Sequence, residues 1–96
     1  MAAIDIRREH SLGTDVAKER AAQLAGDLKS KMGIDWSWDG DRIRFAADGG
    51  AAKGVKGTVS VTDVVVHVEI DLPFLLRAMK GTIASKVNEK LDKLLG

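Results

Sequence analysis

Two histidines and a serine have side chains suited to nucleophilic or metal chemistry. His10 directly precedes Ser11, and a catalytic triad needs a serine, a histidine and a carboxylate that meet in space. Adjacent residues rarely meet in this way, so we expect His10 to end a strand and Ser11 to support a turn. His67 falls on a predicted solvent face, and neither histidine has metal-ligand spacing to a second ligand. No catalytic or metal role is therefore predicted for these residues.

Three aspartates and a glycine-rich segment are the other groups with chemistry to consider. Asp39, Asp41 and Asp48 have carboxylates for cation binding or acid–base catalysis, but a hairpin turn accounts for the first two and no calcium-loop spacing is present. Residues 49–54 resemble a phosphate-binding loop only in their glycines, because the Gly-Lys-Ser/Thr ending is absent and a strand follows. We interpret this segment as a flexible connection. Since the chain also has no cysteine, the sequence predicts a protein that is not an enzyme and that has no cofactor or metal.

The size and charge of the chain limit its functional classes. Its 96 residues, 45% hydrophobic and 30% charged, predict one domain over residues 1–96 with one modest core. Fifteen basic and fourteen acidic residues are interspersed and give a net charge of +1, which does not favour binding to nucleic acid. No segment approaches the roughly 18 apolar residues of a membrane span, and the first eight residues lack the apolar run of a signal peptide. We therefore expect a cytoplasmic protein.

Residues 36–45, with the sequence WSWDGDRIRF, predict a β-hairpin. Ile34, Trp36 and Trp38 alternate onto one face, and Asp39-Gly40 is a strong signal for a two-residue turn. A one-residue slip would set an arginine against the aromatic side chains, so burial of one face should fix the register. The predicted cross-strand pairs are Trp36 with Ile43 and Ile34 with Phe45.

A second hairpin is predicted at residues 55–70. With Thr62-Asp63 as its turn, every pair on one face is apolar or glycine, whereas the other face is mainly polar. Lys56 then faces Glu69 across the strands as an exposed ion pair. The predicted pairs of the apolar face are Val61 with Val64, Val59 with Val66, Gly57 with Val68 and Val55 with Ile70.

Two stretches with apolar residues at three- and four-residue steps predict helices. In the first, Thr14 is the predicted N-cap and Gly33 the left-handed stop. The second begins at Pro73, because proline is favoured in the first helical turn, and Gly81 is expected to kink or split it. The first apolar stripe comprises Ala17, Ala21, Leu24, Ala25, Leu28 and Met32. The second comprises Leu76, Met79, Ile83, Val87, Leu91 and Leu94.

Together with a short strand at residues 3–9, these elements have the order β-α-β-β-β-β-α. Such an order predicts an α+β fold with two helices on one face of a five-stranded antiparallel sheet. Short hairpins make the last four strands a meander. The first strand must then join the last to remain antiparallel, which predicts the spatial order 1-5-4-3-2. The layout is similar to a reduced helix-grip fold, in which a long C-terminal helix lies across a curved sheet.

Two groups of residues are candidates for binding. Trp36, Phe45 and Met79 would line a pocket between the sheet and the C-terminal helix if the protein carried a small hydrophobic ligand. Exposed cations would instead contact a partner or an anionic surface. The C-terminal helix is needed to cover the valine face of the sheet, so core packing is the better interpretation of its apolar stripe. The candidate surface cations are Arg42, Arg44, Lys86, Lys90 and Lys93.

Several short motifs of the chain are together typical of one protein family. They are IDI at residues 4–6, HSLG at 10–13, an alanine-rich helix ending in MG at 32–33, WSWDGD at 36–41 with Phe45, GVKG at 54–57 and LDKLL at 91–95. On these motifs the chain resembles the small bacterial family of polyhydroxyalkanoic acid system proteins, nearly from end to end. The resemblance implies a cellular context, because such proteins are encoded beside genes for making, coating or mobilising polyhydroxyalkanoate storage granules. It implies no catalytic activity and transfers no active-site residue.

Two functional hypotheses follow. The first is a non-enzymatic, granule-associated accessory protein of polyhydroxyalkanoate metabolism that binds an unidentified granule or pathway protein, or the granule surface. Because the C-terminal helix cannot leave the sheet without unfolding the domain, we expect recruitment by a protein partner. The alternative is a carrier of a small hydrophobic ligand, although so small a core argues against the roughly 300 Å³ that a ligand pocket needs. A weak homodimer is also compatible with the sequence.

Overall fold

The computed structural model describes residues 3–47 and 53–95, apart from the side chains of residues 31 and 32. Within that part, the chain forms an antiparallel sheet of five strands in the spatial order 1-5-4-3-2, two α-helices and a 3₁₀ helix. The predicted fold class and strand order are confirmed. The predictions for Asp48, residues 49–52 and the Met32 side chain lie outside the described residues. The elements are β1 (Ile4–Glu9), α1 (Thr14–Met32), β2 (Asp35–Asp39), β3 (Arg42–Ala46), β4 (Lys56–Val61), β5 (Val65–Asp71), the 3₁₀ helix (Phe74–Met79) and α2 (Lys80–Leu95).

Both helices pack on one face of the sheet and contact each other, which encloses an apolar core. α1 lies over β2, β3 and β4, and its buried alanines, Ala17 and Ala21, allow a close approach. α2 contacts β1, which pairs with β5 so that Ile4 lies opposite Ile70. The alternation of buried and exposed residues in each strand follows from this one-sided cover. The opposite face of the sheet is polar.

The first hairpin has a different register from the one predicted. Trp36 lies opposite Phe45 and Trp38 opposite Ile43, so the predicted pair of Trp36 with Ile43 is wrong. The turn residues are Gly40 and Asp41, and only Gly40 has a positive φ, of 65°, which is the pattern of a type II′ turn. The shift is two residues, which leaves every side chain on its predicted face. Burial of one face therefore excludes register shifts by an odd number of residues. It does not distinguish registers that differ by an even number of residues.

The second hairpin also differs from its predicted register by two residues. Val61 lies opposite Val66 and Gly57 opposite Ile70. The Thr62 N–H donates to the Val65 carbonyl oxygen at 2.9 Å, so the turn residues are Asp63 and Val64. The Thr62 hydroxyl accepts the Val65 N–H at 3.0 Å, which stabilises the turn at this position rather than one pair earlier.

The predicted ion pair between Lys56 and Glu69 is wrong for the same reason. Lys56 lies opposite Asp71, and Glu69 lies opposite Thr58. Among the ion pairs of the described residues, Glu69 contacts His67 instead. The face of each residue was predicted correctly, whereas its neighbour across the strands was not.

Gly57 is the point of closest approach between β4 and its surroundings. A Cβ at this position would lie 2.2 Å from the carbonyl oxygen of Glu69 and 2.7 Å from the ring of Phe45. The Phe45 ring is buried and lies over the glycine, opposite it in the β3–β4 pair. The absence of a side chain at Gly57 is therefore what lets this ring reach the core.

The ends of α1 show one wrong and one confirmed prediction. Gly13, with a φ of 82°, is the N-cap, and Thr14 is the first helical residue. The Thr14 hydroxyl donates a hydrogen bond to the Asp63 carboxylate in the β4–β5 turn rather than capping its own helix. At the other end Gly33 is left-handed, with a φ of 68°, and its N–H donates to the Lys29 carbonyl oxygen at 3.0 Å, as predicted.

The predicted C-terminal helix is divided into two elements. Pro73 precedes a 3₁₀ helix, Phe74–Met79, and the α-helix begins only at Lys80, one residue before Gly81. Val87 and Leu91 are buried as predicted, but Met79 is 49% exposed and does not belong to the core. A 3₁₀ helix has three residues per turn, so a stripe counted at 3.6 residues per turn does not continue across the junction.

Candidate functional site

The 3₁₀ helix exposes three large apolar side chains that we name the apolar turn: Phe74, Leu75 and Met79. Phe74 is 83% exposed and Leu75 is 85% exposed. The chain enters this segment through Pro73 in an extended conformation, and the Leu76 N–H donates to the Pro73 carbonyl oxygen at 2.9 Å, which starts the 3₁₀ helix. The backbone of this segment is thus helical, while the side chains of Phe74, Leu75 and Met79 are exposed.

The apolar turn is held between two residues that reach the core. Leu72 is buried at the end of β5, and Leu76 is half-buried against the core cluster. A helical turn can direct only part of its circumference inward, so the residues between these two anchors must face outward. Other exposed large apolar residues of the described chain, Val16, Trp38 and Val64, lie on separate elements. Isolated exposed apolar residues are common on protein surfaces, whereas a contiguous cluster more often marks an interaction site.

The surroundings of the apolar turn are basic. Arg77 and Lys80 follow directly and Lys86 lies further along α2, and all three are exposed. The segment of residues 72–88 contains no aspartate or glutamate. Within the described part of the chain, no salt bridge joins these three cations to a carboxylate. Gly54 lies against Pro73, and the exposed Lys53 precedes it in the chain.

The core contains a void of only about 20 Å³, and its lining is entirely apolar. Small-molecule pockets are typically about 300–1,000 Å³, so this void is more than tenfold too small for a drug-sized ligand. Of the three predicted pocket residues, Phe45 lines the void, Trp36 is half-buried elsewhere against the core, and Met79 is exposed on the 3₁₀ helix. The structure does not bring the three together. The residues around the void are Leu28, Ile34, Phe45, Val55, Ile70, Leu72, Ile83 and Val87.

The five predicted surface cations lie on two different sides of the protein. Arg42 and Arg44 are on the uncovered sheet face, where both approach Asp39, with Nε–Oδ2 distances of 3.6 Å and 2.8 Å. Lys86 and Lys93 are exposed on α2. These cations therefore do not form one patch.

The fifth cation, Lys90, has a structural contact. Its Nζ lies 3.3 Å from Oδ2 of Asp27, which connects α2 to α1. Arg8 makes a second connection to α2 from β1: it donates to Oδ1 of Asn88 at 3.2 Å and forms a salt bridge with Asp92. Sequence reasoning did not predict this role for Arg8. The sequence does contain a signal for it: Arg8 follows Ile4 and Ile6 at two-residue steps, so a cation occupies the apolar face of β1.

His10 has a structural role that accounts for both of its ring nitrogens. Nδ1 accepts the Leu12 N–H at 3.2 Å, so the proton is on Nε2, which donates to the Thr62 carbonyl oxygen at 2.9 Å. The backbone N–H of His10 also donates to the Val64 carbonyl oxygen at 2.8 Å. His10 therefore joins the end of β1, the start of α1 and the β4–β5 turn. No hydrogen bond joins it to Ser11 in the described residues.

His67 lies on the polar face of the sheet between two carboxylates. Its Nε2 is 2.6 Å from Oδ1 of Asp5, and its Nδ1 is 3.4 Å from Oε1 of Glu69. The contact with Asp5 joins β5 to β1, whereas Glu69 is on the same strand as His67. Residues 3–47 and 53–95 contain no group of three histidine, aspartate or glutamate side chains placed to hold a metal ion.

One exposed ion pair shifts the pKa values of its members. Lys18 Nζ on α1 lies 2.7 Å from Oδ1 of Asp41 in the β2–β3 turn. The hydrogen bond from Lys18 lowers the pKa of Asp41 below its ordinary value, and the same bond raises the pKa of Lys18. This pair joins α1 to the first hairpin.

Comparison with protein-family models gives a match over residues 4–95 to the family described as "Putative polyhydroxyalkanoic acid system protein". The chain belongs to this family. The resemblance seen in its sequence motifs is therefore confirmed, and the family's description refers to the polyhydroxyalkanoic acid system. Searches of the curated proteins and of the solved structures each found no match. No helix in the described part of this family member has the length and apolar character needed to cross a membrane.

Proposed function

We propose that this protein is a non-enzymatic, cytoplasmic accessory protein of polyhydroxyalkanoate storage granules that binds a granule protein or the granule surface through the apolar turn. Family membership supports the polyhydroxyalkanoate setting. The observation that favours binding is the exposure of Phe74 and Leu75, at 83% and 85%, on an ordered 3₁₀ helix. Exposed apolar clusters of this kind are more typical of interaction sites than of free surface.

The small core void favours this proposal over the carrier alternative. A space of about 20 Å³ holds about one water molecule and no hydrophobic ligand of useful size. A carrier would need the sheet and α2 to separate, which would expose Val87 and Leu91 to solvent. Binding at the apolar turn needs no such change, because Phe74 and Leu75 are already accessible.

The test is co-sedimentation with native granules. The variant carries Phe74→Ser together with Leu75→Ser, and Val64→Ser is the matched control, because Val64 is also exposed but lies in the β4–β5 turn. None of these side chains is buried, so both variants should keep the wild-type melting temperature. We expect the control to sediment as the wild type does, and the double variant to lose more than about tenfold in binding, since each large apolar side chain contributes about 1.5–3 kcal/mol when buried.

Two results would refute the proposal. The first is a folded double variant that binds granules as well as the wild type. The second is a wild-type protein that does not sediment with native granules at all.

A further inference from the structure

We infer that the apolar turn and its neighbouring cations form a binding site for an anionic phospholipid surface, into which Phe74 and Leu75 insert while Arg77 and Lys80 contact the headgroups. This inference rests on the proposed function, because it names the class of surface that the same turn binds. It concerns the 3₁₀ helix and leaves α2 in place.

The spacing of the 3₁₀ helix arranges these residues suitably. With three residues per turn, positions three apart share a face, so Arg77 lies on the face of Phe74 and one turn further along. Leu76 and Met79 share the inward face. Leu76 is half-buried, whereas Met79, one turn further along, is 49% exposed. An apolar tip with a cation one turn behind it is the arrangement of an interfacial segment, in which apolar groups enter the acyl boundary and basic groups stay at the headgroups.

The local charge favours an anionic surface. The whole chain is almost neutral, with a net charge of +1, but residues 72–88 contain three cations and no carboxylate. Arg77 and Lys80 form no ion pair with the described residues, so headgroup contact requires no internal pair to break. Each cation near an anionic membrane surface strengthens binding by about fivefold.

A second copy of the chain is a poorer occupant of this site. A stable interface buries about 800 Å² on each partner, whereas an aromatic side chain contributes about 150–250 Å². Phe74, Leu75 and Met79 alone therefore supply too little area for a dimer. A lipid surface needs no complementary shape and accommodates a single protruding turn.

The core packing of α2 does not oppose this inference. Sequence reasoning favoured a protein partner because α2 must cover the sheet, and the structure does keep Val87 and Leu91 buried. Phe74 and Leu75, however, lie before α2 begins and contribute almost nothing to the core. The turn can enter a lipid surface while the domain stays folded.

The experiment is flotation with vesicles of phosphatidylcholine alone and with vesicles of phosphatidylcholine and phosphatidylglycerol in equal parts. Four proteins are compared: the wild type, Phe74→Ser with Leu75→Ser, Arg77→Gln with Lys80→Gln, and a control with Arg7→Gln and Lys56→Gln. The control removes the same charge from two exposed positions on the uncovered sheet face. Melting temperatures verify that each variant is folded.

We expect the wild type to float with the phosphatidylglycerol vesicles and much less with phosphatidylcholine alone. The Arg77 and Lys80 variant should lose roughly 25-fold in binding, which is about fivefold for each cation, and the control should lose little. The variant without Phe74 and Leu75 should lose binding to both types of vesicle. Because Arg77 and Lys80 are exposed and unpaired, their variant remains informative even if the apolar variant fails to fold.

Three results would overturn the inference: no wild-type binding to phosphatidylglycerol vesicles, equal binding to both compositions, or equal losses in the cation variant and its control. If the first occurs while granule binding still depends on Phe74 and Leu75, the occupant is an acidic protein, and the proposed function stands without the lipid surface. If granule binding is also independent of these residues, both proposals fail.

Discussion

Gly57→Ala is expected to destabilise the protein strongly, although it adds only one methyl group. The new Cβ would lie 2.2 Å from the Glu69 carbonyl oxygen and 2.7 Å from the Phe45 ring, well inside the roughly 3.5–4 Å of a favourable carbon contact. The first neighbour is backbone of the paired strand β5, and the second is a buried ring, so neither can move alone. Overpacking typically lowers the free energy of unfolding by about 1–3 kcal/mol. Because neither neighbour of the new Cβ can move, we expect a loss of about 3 kcal/mol for Gly57→Ala.

Gly26→Ala is the matched control for this prediction. Gly26 lies inside α1, and apart from the backbone of that helix a Cβ there would meet no atom of the described residues within 4 Å. Alanine is favoured over glycine in a helix interior, so the same methyl group should stabilise the protein by about 0.5–1 kcal/mol. One chemical change at two positions is thus expected to have opposite effects.

Thermal unfolding followed by circular dichroism measures both changes. For a domain of this size, 1 kcal/mol corresponds to a change of about 4–8 °C in melting temperature, so Gly57→Ala should lower it by roughly 10–25 °C. Combining Gly57→Ala with Phe45→Leu should recover part of the loss relative to Phe45→Leu alone, because the ring contact is then removed. An unchanged melting temperature for Gly57→Ala would refute the packing described between β3, β4 and β5.

Two further predictions concern polar contacts. Because the pKa of Asp41 is lowered in the folded protein and that of Lys18 is raised, the pair should stabilise the fold between their ordinary values of 3.8 and 10.5. Urea unfolding across pH should show Asp41→Asn to be less stable than the wild type within that window, with the difference vanishing as the pH falls below it; a constant difference would contradict the assignment. His10→Ala removes the hydrogen bonds to Leu12 and Thr62 and should cost about 1–3 kcal/mol, measured by urea unfolding at neutral pH; no change would mean that these bonds contribute nothing net.

Sequence reasoning predicted which face each strand residue occupies but not the residue opposite it. The alternation around Trp36 and Phe45 is satisfied equally by two registers that differ by two residues, so the hydrophobic pattern could not distinguish them. The choice depends on turn chemistry, since Gly40 takes the first turn position and the Thr62 hydroxyl supports the second turn. For each hairpin, the two possible turn positions bury nearly the same apolar side chains.

The apolar turn was not predicted, because helical periodicity placed Leu76 and Met79 in one core stripe and did not consider their neighbours. The available signal was the run of Leu72 and residues 74–76, four large apolar residues around a single proline. Such a run cannot direct all its side chains to one face of any helix. The position of the 3₁₀ helix after β5 determines which of these four side chains are exposed to solvent, and the sequence pattern does not give this position.

The pairing of β1 with β5 affects how the protein folds as it is synthesised. β1 is made first, but its partner runs through Ile70, so the strand must wait until most of the chain exists. The meander from β2 to β5 needs only local pairings and can form earlier, since contacts between distant residues form slowly. Until β1 arrives, the valine-rich edge of β5 is open and can pair with another chain. The hydrogen bonds of His10 and Arg8 hold β1 in place, and they therefore also help to keep that edge of β5 covered.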